Sequence, residues 1–186
     1  MSGPGIGHNS GRAVEPGVSA RRFAWAKARR DLLPSLPVEV VRLRVARAKE
    51  LGLPYRTYAG LRASTGHDLI GFLFSSNALG VLRPGDAVPD KLAVVRADRV
   101  ALAQSAPVLA ALQDEPLIDA AARAPHLGQG WSATRAGLRA ALAGRGPADR
   151  FLVIGATALE RDWSECLQAA GYLDGAAYFS PEPATA

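Results

Sequence analysis

One short stretch, Phe151-Leu152-Val153-Ile154-Gly155 leading into Thr157-Ala158-Leu159-Glu160, constrains the fold of this chain most tightly. An unbroken run of large apolar residues reads as a strand buried on both faces, because a strand with one wet face would alternate. Gly155 permits a tight turn. Thr157 and Glu160 then have the spacing at which a hydroxyl and a carboxylate reciprocally cap the first N–H groups of a helix. Leu159, Trp163, Leu167 and Ala170 follow at helical steps, with Gly171 as the stop. A strand, a tight turn and a packed helix belong to α/β architecture.

The rest of the chain divides by charge. Of its 22 basic side chains, twelve fall between Arg12 and Arg62, against the carboxylates Glu15, Asp31, Glu39 and Glu50, a net +8, while the remainder is mildly acidic. A basic lobe on a near-neutral body is what binding to a phosphate backbone requires. The predicted organisation is α+β: a tail over 1–18, a basic helical region over 19–65, a small α/β domain over 66–180 and a frayed end over 181–186. Ser19 to Leu33 is predicted helical, and Pro37 opens a second helix with Val38, Val41, Val45 and Ala48 on one face. Tyr55 to Ala63 is a third helical candidate. His67 to Ser76 reads as a buried strand, with a helix capped by Asp68 as the alternative. Lys91 to Arg96 has a β-compatible Leu-Ala-Val-Val centre, and Ser105 to Ala124 is mostly helical with a break near Pro116. Ser132 caps a helix that ends at Gly144, and Ala176 to Phe179 supplies a last short strand.

The window Ala48-Lys49-Glu50-Leu51-Gly52-Leu53-Pro54-Tyr55-Arg56-Thr57-Tyr58-Ala59-Gly60-Leu61 resembles the helix-turn-helix DNA-binding superfamily. Ala48 allows close helix approach, Gly52 a tight turn, and Leu51, Leu53, Tyr58 and Leu61 pin the second helix. The resemblance implies that Tyr55, Arg56, Thr57 and Arg62 lie at the groove-facing end of a recognition helix, and the basic charge of the region adds Arg42 and Lys49 as expected phosphate contacts. Arg47 departs from the aliphatic residue usual at its position, and Gly60 lies inside the second helix. The Gly3 to Gly11 segment resembles the leader of some bacterial nucleoid-associated proteins. Phe23, Trp25, Tyr55 and Tyr58 have the helical spacing of core residues rather than of a base-stacking platform.

Enzyme signatures are sparse. The chain has no phosphate loop, no nucleophile elbow and no His-Glu-x-x-His pair. Gly128-Gln129-Gly130-Trp131-Ser132-Ala133 has dinucleotide-fingerprint spacing but follows a predicted helix, so it reads as a loop and helix start. His8, His67 and His126 are dispersed, and no metal or other cofactor is expected. The single Cys166 reads as a buried, inert thiol, and Asp162 and Glu165 as a solvated face. A polar pocket for an anion is the one alternative: Ser75, Ser76 and Asn77 end one strand, and Gly155 and Thr157 end another, where a helix N-terminus attracts negative charge. The leading expectation is therefore a nucleic-acid-binding protein, duplex DNA foremost, with a regulatory or accessory and non-catalytic role. A ligand-binding α/β protein or enzyme, and an assembly factor docking an acidic protein, are the alternatives. The apolar run Leu69 to Leu82 is too short to span a membrane, and the N-terminus lacks a secretory layout, so a cytoplasmic location is expected.

Overall fold

A computed structural model describes residues 36–126 and 128–180, and the expected tail, the helix expected over Ser19 to Leu33 and the expected frayed end lie outside them. The chain separates into a unit Met1–Val40 and a unit Val41–Ala186, and the second holds the sheet. It opens with the end of helix α1 (Val38–Glu50) and helix α2 (Tyr55–Thr65). Strands β1 (Gly71–Ser75), β2 (Asp98–Ala103), β3 (Ala120–Arg123), β4 (Phe151–Gly155) and β5 (Gly171–Asp174) follow. Helices α3 (Ala106–Gln113), α4 (Trp131–Ala141), α5 (Ala158–Leu167) and α6 (Gly175–Phe179) are interleaved with them.

The strands form one parallel sheet in the order β3-β2-β1-β4-β5. Alternation of side chains explains why its central strands are apolar throughout. Phe72, Phe74, Ala101, Ala103, Leu152 and Ile154 point to one face, where Leu51, Tyr58, Leu92, Val108 and Tyr178 cover them. Leu73, Val100, Leu102, Phe151 and Val153 point to the other, against Leu138, Trp163, Cys166 and Leu167 of α4 and α5. Strand order reverses between β1 and β4, so the connections that leave their carboxyl ends run to opposite faces and leave the crevice where open α/β sheets gather ligands.

Helices α1 and α2 share the first of these cores, since Ala48, Leu51, Leu53 and Tyr58 are buried with Phe72 and Phe74. The basic corner and the sheet therefore pack as one body across 65–66, where the sequence suggested a domain boundary. Arg47 accounts for its own presence at the corner. Its Nε donates to Asp68 Oδ2 at 3.1 Å, Nη1 to the Arg96 carbonyl at 3.1 Å and Nη2 to the Leu69 carbonyl at 2.9 Å. An aliphatic side chain would leave those carbonyls without this donor.

The strand reading of His67 to Ser76 is borne out by β1, and the capping box by α5, where Thr157 and Glu160 cap reciprocally. Other expectations are corrected. Lys91 to Arg96 is not a strand: Asp90–Val94 is a 3-10 turn that buries Leu92 and leaves Val94 exposed, a three-residue rather than alternating pattern. The Ser105 to Ala124 stretch contains α3 but ends in strand β3, where parallel pairing with β2 overrides the helical preference of alanine. Ala176 to Phe179 is helical in α6, capped by Asp174, whose Oδ1 accepts from the N–H groups of Ala176 and Ala177. Gly130, not Ser132, precedes α4 as its N-cap. Gly171 opens β5, while Gln168 in the left-handed conformation ends α5.

Candidate functional site

Sequence reasoning pointed to two places, the helical corner and the strand ends. At the corner, the helix α1, the turn Leu51 to Pro54 and the helix α2 form as the window suggested. Gly52 adopts φ +64°, the left-handed conformation that β-carbon-bearing residues avoid. Tyr178 fixes the turn from the far end of the chain, its hydroxyl donating to the Leu51 carbonyl at 3.0 Å. Burial pushes the Tyr178 phenol well above its ordinary range, so it stays protonated as a donor.

The six corner residues divide. Arg42, Lys49 and Arg56 are exposed and have no ion pair among the described residues. Arg42 and Lys49 lie about two helical turns apart, hence on one face of α1. Tyr55 is half-buried and packs against the core, and Thr57 is half-buried beside it. Arg62 is half-buried with its Nη1 3.7 Å from Asp68 Oδ1. Asp68, which sequence reasoning passed over except as a helix cap, gathers Arg47, Arg62 and the Tyr58 hydroxyl, which donates to Oδ1 at 2.8 Å. Desolvation, then Asp68, raises the Tyr58 pKa. The solvent-facing side of α2 is lined by Arg56, Gly60, Ala63 and Ser64, small beyond the arginine. Among the described residues a Cβ on Gly60 would meet nothing within 4 Å, so none of them explains that glycine by packing.

At the strand ends, Ser75 and Ser76 are buried and shape the turn after β1, with Ser75 Oγ accepting from the Ala78 N–H at 3.0 Å. Ser76 Oγ lies 3.4 Å from the Gln104 N–H. Asn77, Gly155 and Thr157 do come together across β1 and β4, around a residue that sequence reasoning assigned only to a cap. Glu160 is 0% exposed. Its Oε2 accepts from the N–H groups of Ala156 at 2.6 Å and Thr157 at 3.0 Å, and its Oε1 from Asn77 Nδ2 at 2.7 Å and Gln104 Nε2 at 3.4 Å. Gly155 is required by this arrangement, because a Cβ there would stand 2.8 Å from both Glu160 Cβ and Tyr172 Cε2. The chain's own carboxylate thus occupies the N–H groups that an external anion would use. The signal was legible in part, since Thr157-x-x-Glu160 predicts the cap but not the reach of the carboxylate to β1.

The fingerprint-like segment follows strand β3 and opens α4, not a helix as the sequence suggested, yet it stands at the sheet edge, two strands from the reversal point. Cys166 is buried, and burial pushes its thiol up, the direction of an inert group. Among the described residues no cluster of His, Cys, Asp and Glu could hold a metal ion. No helix among them is long and apolar enough to cross a membrane. No family model, curated protein or solved structure matches the chain.

Proposed function

We propose that this protein binds nucleic acid, duplex DNA foremost, through the α1–α2 corner, in a regulatory or accessory role without catalysis. One observation carries the reading. The residues that make such a corner rigid, Ala48, Leu51, Leu53 and Tyr58, are buried, while Arg42, Lys49 and Arg56 turn outward. The cations best suited to phosphates are those that no carboxylate among the described residues neutralises, and Arg47 and Arg62 are diverted to Asp68. The small stripe Gly60, Ala63 and Ser64 beside Arg56 suits close approach of a groove wall, with Arg56 and Thr57 at the leading end of α2. The reading carries a cytoplasmic location in a bacterial cell.

Charge reversal tests it. In fluorescence anisotropy with a random duplex at low salt, Arg42→Glu combined with Lys49→Glu and Arg56→Glu should weaken binding and reduce the steepness of its salt dependence by roughly one unit per lost phosphate contact. Unchanged affinity would overturn the placement. Binding of an acidic protein by the same cations, with no affinity for DNA, would favour the assembly alternative. Ligand binding or catalysis at the strand ends has the position of the crevice in its favour, but Glu160 already holds the available N–H donors there.

A further inference from the structure

A pocket of about 140 Å³ opens away from both places discussed above, between the start of α4 and the outer side of α5. Trp131, Leu159 and Pro125 give it apolar walls, and Thr134, Gln129 and Asp162 add polar groups. A void of this size suits one planar ring, as an engineered cavity of about 150 Å³ holds benzene. Trp131 stands at its rim and is 56% exposed, unusual for the largest side chain in a protein with two other uses for tryptophan in its sequence.

The arginines on the adjoining helix favour an anionic group attached to that ring. Residues 120–148 include Arg123, Arg135, Arg139 and Arg145 and no carboxylate. Arg145 pairs with Asp98, but Arg135 and Arg139 have no ion pair among the described residues. Arg135 lies one helical turn beyond Trp131, the spacing at which helix side chains are neighbours, and Arg139 one turn further. Arg135 is also close enough to Cys166, a wall of the pocket, to draw its thiol pKa downward against the dominant effect of burial. Its Nε is buried and has no hydrogen-bond partner among the described residues. The pocket therefore has an exposed aromatic plane and one acidic acceptor, Asp162, with guanidinium groups along the adjoining helix that form no ion pair among the described residues.

We propose that this pocket takes the base of a nucleotide: the ring stacks on Trp131, an exocyclic amine donates to Asp162, and the phosphate faces Arg135 and Arg139. Stacking on an aromatic plane beside arginines is how unpaired bases are held. The nucleotide is either free or part of a single strand. This site is independent of the duplex-binding corner.

Isothermal titration of the full chain with AMP, CMP, UMP, adenosine, inorganic phosphate and a six-nucleotide single strand tests the assignment. AMP and CMP, which carry an exocyclic amine, should bind more tightly than UMP, adenosine more weakly than AMP, and inorganic phosphate not measurably. Trp131→Ala should weaken AMP by about tenfold or more, the scale of one lost base–aromatic stack. Asp162→Asn should remove the preference for CMP over UMP, two pyrimidines that differ in that amine, and serves alone if the tryptophan variant misfolds by circular dichroism. A strand that binds more tightly than AMP identifies single-stranded nucleic acid as the source, and equal affinities a free nucleotide. Arg56→Glu should leave AMP binding intact even where it abolishes duplex binding, which separates this site from the corner. No heat with any nucleotide at millimolar concentration, or AMP affinity unchanged in both variants, overturns the proposal.

Discussion

Glu160 is where a single side chain decides most. A buried carboxylate is tolerable only when its lone pairs are met, and here two backbone N–H groups and two side-chain amides meet them. Glu160→Gln turns one acceptor into a donor facing donors. It should lower stability by roughly 1–3 kcal/mol in urea denaturation, with duplex affinity unchanged. A neutral outcome would mean that the carboxylate does not tie β1 to β4. Asp119 offers a pH test. Arg99 grips it with Nε and Nη2, each at 2.9 Å, and this hydrogen bonding holds the carboxyl below its ordinary range. A depressed folded-state pKa stabilises fully above the unfolded value, about 3.9, and the gain is lost as pH falls through the folded value. Asp119→Asn should therefore lower the melting temperature at neutral pH and flatten its decline in acid. Parallel melting curves for the two proteins at every pH would contradict this.

Among the elements, the turn and α2 respond oppositely to the same change. Gly52→Ala forces a β-carbon into the left-handed region and to 2.9 Å from Lys91 Cε, so a loss of about 1–2 kcal/mol is expected in thermal or urea unfolding. Gly60→Ala has open space around it and replaces a poor helix former, so a gain of about 1 kcal/mol is expected from the same measurement. These elements were legible in sequence because their determinants are local: a glycine stop, a proline, helical spacing. The β4–α5 unit was legible for the same reason, with Phe151 to Ile154 apolar throughout and the cap three residues apart. Strands β2 and β3 were not. Asp98 and Arg99 open β2 with charges that pair with Arg145 and Asp119, and β3 is Ala-Ala-Ala-Arg, whose state is set by its neighbour across the ladder. The 3-10 turn at Asp90–Val94 was missed because an alternating and a three-residue pattern coincide over so short a stretch.

Across the molecule, the sheet divides its chemistry between two faces and an edge. One face carries the helical corner, the other α4 and α5, and Glu160 seals the crevice between the halves. Charge asymmetry along the sequence located the corner, but not which arginines remain outward, because Asp68 selects among them through contacts 21 and 6 positions away in the chain. The anion pocket was inferred from polar strand ends and helix polarity, neither of which reveals that a side chain from the same helix turns back to fill it.

The most direct test of the central claim is backbone amide NMR of the labelled protein titrated with a short duplex at low salt. The account predicts that shift changes concentrate on the exposed positions of α1 and α2, around Arg42, Lys49, Arg56 and Gly60. No shift changes, or changes confined to Gln104, Thr157 and Trp131 with the corner silent, would contradict it.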